Sequence, residues 1–192
     1  MTYSKLVAIG GNLPNQGLSV GEILQSAVAN MGRHIGRIEK ISSWYRTPAF
    51  PAGSGPDYVN GAFFVNSDLN SSDFLAELHR IEALFWRERG QRWGARTVDL
   101  DLLSDGDAIL PDLKTWWKWH DMPPERQNSE TPDTVVLPHP RLHSRSFVLV
   151  PLLEICPTWV HPVLGLSVEQ MHANLTEDDR NSVVKLADLA CQ

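Results

Sequence analysis

The apolar positions come in short blocks with two different periods, and these set the first expectations. Residues 3–9 (YSKLVAI) are a short apolar run closed by Gly10, Gly11 and Asn12, the pattern of a largely buried strand ending in a turn. Val20, Ile23, Leu24, Ala27, Val28 and Met31 recur with helical spacing and predict a helix over 17–31. Residues 35–46 read as a second strand ending at Thr47-Pro48, and the Gly- and Pro-rich stretch 49–57 reads as a loop. Residues 58–66 read as a third strand. Asn70, Ser71 and Ser72 offer N-caps for a helix over 72–89, with apolar positions Phe74, Leu75, Leu78, Ile81 and Phe85. Residues 97–103 (TVDLDLL) alternate as a strand does. The polar, Pro-containing stretch 107–134 has no sustained period and reads as a long loop or insertion. Beyond it, 146–150 (SFVLV) reads as a strand, 151–155 as a helical turn, 167–175 as a short helix and 183–187 as a last strand.

The order strand, helix, strand, strand, helix, strand departs from the βαβα alternation of a doubly wound sheet. It predicts an α+β fold, a ferredoxin-like sandwich with helices packed on a mostly antiparallel sheet. A chain of 192 residues is expected to form a single domain over 1–192, carrying 107–134 as its insertion.

Composition narrows the partners. The net charge is −6, so the chain has no overall footprint for duplex nucleic acid, and a polyanionic ligand needs a local cluster of cations. Cys156 and Cys191 are too few for a disulfide framework, and Cys191 is expected to be an exposed thiol. The first residues read neither as a signal peptide nor as a spanning helix, so a cytoplasmic location is expected.

Asp99 and Asp101 carry the sharpest chemical signal. Two residues apart on a strand means one face, with about 7 Å between them along the strand. Val98, Leu100 and Leu102 fill the other face. Neighbouring carboxylates repel, and a divalent cation such as Mg²⁺ resolves the conflict. A solvated outer face would give the same pattern. Just upstream, Arg87, Arg89, Arg92 and Arg96 surround Trp93. Arginine suits bidentate phosphate contacts, the indole offers a stacking face, and metal plus arginines equip a site for a polyphosphate. A solvated loop that balances acidic neighbours is the plainer alternative. His79 and Glu82 lie at the edge of the second helix's apolar face, where boundary residues are also common. In 138–145 (PHPRLHSR), prolines hold His139 extended and two arginines follow, which favours phosphate contact over zinc ligation. The chain has no P-loop, no nucleophile elbow and no paired C-x-x-C.

Together the segments VAIGGNLPN (7–15), SSWYRTPAF (42–50), PDYVNGAFFV (56–65), LHRIEALFWRERGQRWGARTVDLDLL (78–103) and LPHPRLHSRSFVLVPLLEICP (137–157) resemble the 6-hydroxymethyl-7,8-dihydropterin pyrophosphokinase family. The resemblance implies transfer of the β,γ-pyrophosphoryl group of ATP to the pterin hydroxymethyl oxygen, leaving AMP, in folate biosynthesis. It implies two Mg²⁺ ions on Asp99 and Asp101. It implies phosphate contacts from Arg87, Arg96 and Arg145, with Arg89 and Arg92 beside a mobile loop. His79, Glu82, Trp93, Leu102 and His139 would lie at the nucleotide. Tyr58 and Phe147 would sandwich the pterin, with Asn60 and the backbone around Thr47 and Pro48 at its polar edge. The expected partners are these two small molecules only, with no nucleic acid, no membrane and a monomeric chain. Four positions depart from the family pattern: Gly11 for Ser, Gly55 for Gln, Trp86 for Gly and Ala95 for Pro. The stretch 107–134 is also long and carries Trp116, Trp117 and Trp119, which are expected to pack on the body of the protein or on a partner; alternatively the insertion covers the nucleotide site or alters specificity. Two alternatives keep part of this chemistry: a non-catalytic pterin- or nucleotide-binding paralog, and a related Mg²⁺-dependent transferase with another acceptor.

Overall fold

The computed structural model describes residues 3–49, 53, 55–85, 97–127 and 130–187. The first strand, β1 (Tyr3–Gly11), runs through the middle of an antiparallel sheet. Helix α1 (Val20–His34) begins three residues later than its apolar period suggests. The reason is local: Ser19 and Glu22 form a reciprocal capping box that sets the first turn. The expected strand 35–46 is two strands, β2 (Arg37–Ile41) and β3 (Tyr45–Thr47), both paired with β4 (Tyr58–Ser67). Between them the chain leaves the ladder, and the Ser42 hydroxyl accepts the Ala62 N–H that the ladder would have used. Helix α2 (Ser71–Leu84) is capped by Asn70, and residues 86–89 of the expected helix lie outside the described residues.

Strand β5 (Asp99–Asp105) forms the edge of the sheet, whose order is β5-β1-β4-β3 followed by β6 (Val184–Lys185), with β2 also on β4. The stretch expected as a loop, 107–134, contains α3 (Leu113–His120) and α4 (Pro124–Gln127). Asp112 caps α3, but one buried position, Trp116, is too few to leave a helical period in the sequence.

The expected strand 146–150 is a helix. Residues 146–155 form α5 (Ser146–Ile155), after a single 3₁₀ turn at Leu142–Ser144. An apolar run of this kind has no face to read, because α5 is buried between the sheet and α6 (Val168–Ala173). A short α7 (Glu177–Asn181) and the two-residue β6 (Val184–Lys185) follow.

The sheet is covered on both faces. Val7, Ile9, Phe63, Val65, Leu100 and Leu102 meet α1 and α2 on one side, and Val98 packs there as expected. Leu6, Ala8, Ala62 and Leu103 meet α5 and α6 on the other. Of the three clustered indoles, Trp116 is fully buried, Trp119 is half-buried and Trp117 is exposed. Cys156 is half-buried, and burial pushes its thiol up to about 11, whereas Cys191 lies outside the described residues.

Candidate active site

The site begins with a row of small residues. Gly10 on β1 stands opposite Asn60 on β4 and Asp99 on β5, and Ala8 stands opposite Ala62 and Asp101. Asp99 and Asp101 therefore share one face of the sheet, the face of α5, with Asn60 and Tyr58 two strands away and Thr47 three. Glycine at position 10 is required by this arrangement: a Cβ there would lie 2.6 Å from Asn60 Oδ1. The Asn60 amide instead donates to Thr47 Oγ1 at 2.8 Å, which fixes its orientation. Gly11, the position where the family pattern has Ser, lies under the carbonyl of Thr97, 2.4 Å from where a Cβ would sit. The small residue lets the end of β1 close on the segment leading into β5.

Both carboxylates are half-buried. Arg145, just before α5, reaches Asp101 Oδ2 at 3.5 Å, and its guanidinium also lies 5.5 Å from the Phe147 ring centre. Phe147 is 37% exposed, so part of its ring is open to solvent. The expected pterin group thus falls in two places: Thr47, Tyr58 and Asn60 on the sheet, and Phe147 at the start of α5. Pro48 follows β3 and is exposed. The loop residue Gly55 lies near Asn12, whose side chain donates to the Pro56 carbonyl.

The edge of β5 opens onto a cavity of about 700 Å³. Its lining brings His79, Asp101, Leu102 and His139 together, four of the residues expected at the nucleotide or metal. Arg141, one of the two arginines of the PHPRLHSR segment, and Trp119 of α3 also line it. The His139 backbone N–H donates to the Leu103 carbonyl at 2.8 Å, which fastens the PHPR segment to the outer side of β5. His139 Nδ1 accepts the Arg141 N–H at 3.1 Å. Burial first, then the charges of Arg145 and Arg141, hold its imidazole well below the ordinary histidine value. The ring is therefore neutral at pH 7, and with Nδ1 accepting, Nε2 carries the proton and can donate to a phosphate oxygen.

Glu82 is placed differently from its neighbours in the expected set. It is 2% exposed, and its Oε1 accepts the N–H of Leu100, the residue between the two aspartates, at 2.8 Å. It acts on the site through β5 rather than on the cavity wall. Arg87, Arg89, Arg92, Trp93 and Arg96, with Trp86 and Ala95, lie outside the described residues.

The donor set fits Mg²⁺. Two carboxylates with no third His, Cys, Asp or Glu grouped beside them among the described residues leave most of an octahedron to water and substrate oxygens, as this ion prefers. A softer metal held entirely by protein would need more ligands.

Comparison with known proteins places the chain in a family. The model of the family described as 7,8-dihydro-6-hydroxymethylpterin-pyrophosphokinase matches residues 6–157. A 2-amino-4-hydroxy-6-hydroxymethyldihydropteridine pyrophosphokinase of Synechocystis sp. is 35% identical over 170 residues, which are 88% of this chain and 74% of that one. Its counterpart in Bacillus subtilis is 32% identical over 151 residues, 78% of this chain and 76% of the relative. Among solved structures, wild-type Plasmodium falciparum HPPK-DHPS superposes with a TM-score of 0.63 at 14% identity, covering 90% of this chain and 44% of that longer one. This chain belongs to the 7,8-dihydro-6-hydroxymethylpterin-pyrophosphokinase family.

Proposed function

We infer that the protein is an ATP-dependent pyrophosphokinase of folate biosynthesis, which converts 6-hydroxymethyl-7,8-dihydropterin and ATP into the pterin diphosphate and AMP. The observation that carries this for the chain itself is the position of Asp99 and Asp101. Asp101 lines the edge cavity with His79, Leu102 and His139, and it shares with Asp99 the sheet face that bears Tyr58, Asn60 and Thr47. A nucleotide in the first and a pterin on the second would bring the triphosphate and the hydroxymethyl group to the same carboxylates.

In the reaction, the hydroxymethyl oxygen forms a bond to the β-phosphorus, the bond from that phosphorus to the α-phosphate breaks, and the hydroxyl proton is released. Little covalent help is needed; alignment and neutralised oxygens supply most of the rate. Asp99 and Asp101 would hold two Mg²⁺ ions, which when bound neutralise and clamp the triphosphate oxygens. Arg145 adds a fixed positive charge beside Asp101, and neutral His139 donates its Nε2 proton. Arg87 and Arg96, with Arg89 and Arg92, complete the phosphate contacts in this reading. Phe147 and Tyr58 take the faces of the pterin, and Asn60 with the Thr47–Pro48 backbone takes its polar edge.

We place the whole of 1–192 in one domain, working as a monomer in the cytoplasm. Among the described residues no helix is long and apolar enough to cross a membrane.

The direct test measures AMP formation from ATP and Mg²⁺ with and without 6-hydroxymethyl-7,8-dihydropterin. Pterin-dependent AMP is expected. A folded protein that binds pterin but forms no AMP would be a non-catalytic paralog, and one that does not bind pterin would use another acceptor.

A further inference from the structure

The motifs read in the sequence supply part of the edge-cavity wall, among them His79, Asp101, Leu102 and His139. The rest is Ser72 and Leu75 of α2, Trp119 of α3 and the chain from Glu130 to Val136. We propose that Trp119 seats the base of the nucleotide and supplies a base-dependent share of the affinity for ATP. This rests on the reading that the edge cavity takes the nucleotide.

The lining divides by chemistry. Asp101, His139 and Arg141 suit metal and phosphate, whereas Leu75, Leu102, Trp119 and Val135 form an apolar surface with an indole in it. A nucleotide has the same division, anionic at one end and planar and aromatic at the other. Glu130, paired with Arg126 at 2.6 Å, and Asp133 also line the cavity. Their carboxylates repel a phosphate but can accept hydrogen bonds from ribose hydroxyls or an exocyclic amino group. A cavity of about 700 Å³ is ample for one such molecule.

Trp119 is also held rigidly relative to the phosphate side. One turn earlier on α3, the fully buried Trp116 donates its indole N–H to the Pro138 carbonyl at 2.7 Å, directly before His139. Leu110 and Leu137 exchange backbone hydrogen bonds of 2.9 and 3.1 Å across the base of the segment. The indole wall and the His139 loop therefore form one body. Preorganisation of this kind lowers the ordering cost of binding and fixes the distance from base to phosphates.

The test compares wild type, Trp119→Ala and Trp119→Phe in Mg²⁺ buffer. Isothermal titration uses α,β-methylene-ATP, inorganic tripolyphosphate and 6-hydroxymethyl-7,8-dihydropterin, and steady-state assays give KM and kcat. Trp119→Ala is expected to lose about tenfold in affinity for the ATP analogue and to raise the KM for ATP by the same factor. Tripolyphosphate and pterin affinities and kcat should be unchanged, and Trp119→Phe should recover most of the loss. Should the Ala variant unfold, Trp119→Gln is read in the same way.

Unchanged analogue affinity in an active variant would overturn the proposal and leave the pyrophosphokinase reading intact. A parallel loss for tripolyphosphate would overturn it too, because Trp119 would then act on the phosphate site. No analogue binding by wild type would overturn both this proposal and the nucleotide reading of the cavity.

Discussion

Asp101 faces two demands that no other described residue combines. It shares a sheet face with Asp99, and it lines the edge cavity with Arg145 at 3.5 Å. Replacing it by Ala leaves Arg145 without this partner and leaves Asp99 as the one carboxylate of the pair. Asp101→Ala is expected to fold, with an unchanged far-ultraviolet spectrum, and to lose about a hundredfold or more in AMP formation. Near-normal turnover would remove the metal assignment. Phe147 is the converse case, an apolar ring left 37% exposed at the start of a buried helix. Phe147→Ala is expected to weaken pterin binding about fivefold, the scale of one lost aromatic contact, and to leave ATP binding unchanged. Titration with each ligand separately distinguishes this from a general loss.

At the scale of elements, the site depends on how firmly α2 holds β5. The link is the buried carboxylate of Glu82 on the Leu100 N–H, at the centre of the D-L-D sequence. Glu82→Ala leaves that N–H with no acceptor in a buried place, a loss of about 1–3 kcal/mol. It should lower the denaturant midpoint and reduce activity together. Glu82→Gln keeps a carbonyl oxygen for the same bond and should recover most of the stability. If both variants lose activity equally while only Ala loses stability, the charge of Glu82 matters in its own right. On the opposite face, Glu154 of α5 ties the β2–β3 junction down through the Ser43 N–H, the Ser43 hydroxyl and the Tyr45 hydroxyl. Burial and this carboxylate push the Tyr45 phenol up to about 12. Strand β3, which presents Thr47, is thereby clamped to the helix that presents Phe147.

Over the whole molecule, three histidines gather around Trp116. His120 stacks on it at 4.9 Å, His143 stacks on His120 at 4.6 Å, and His161 meets the indole edge-on at 5.4 Å. His161 is fully buried, and its Nδ1 accepts the N–H groups of Val163 and Leu164. Burial, then the neighbouring His143 and His120, lower its value from 6.5 to about 4, and His143 is lowered as well. A histidine lowered in the folded state takes up a proton on unfolding, so its contribution is complete above pH 6.5 and disappears as the pH falls toward 4. For His161 alone this is about 3 kcal/mol. Urea midpoints measured between pH 7.5 and 4 should fall steeply below 6.5, and His161→Phe should flatten that slope. An unchanged slope in the variant would place the acid sensitivity elsewhere.

How much of this was legible in the chain depends on which contacts each feature needs. The faces of β1, β4, β5, α1 and α2 were readable, because each element has one apolar side and its period appears in adjacent residues. The D-x-D pair was readable for the same reason: alternation puts Asp99 and Asp101 together whatever lies around them. The α5 run reads as a strand because 147–150 are apolar on every side, the exposed Phe147 included, so no helical period shows. The helix α3 was hidden because one deeply buried indole leaves no repeat. The sequence by itself determined the antiparallel α+β plan, the carboxylate pair and the family motifs, all of them local patterns or short segments. Only the tertiary structure decided that Glu82 serves β5 from beneath, that His139 is neutral and fastened to the edge strand, and that Trp119 walls the edge cavity. Each of these needs a contact between segments 18 or more residues apart or burial by several elements at once, and neither leaves a trace in the spacing of neighbouring residues.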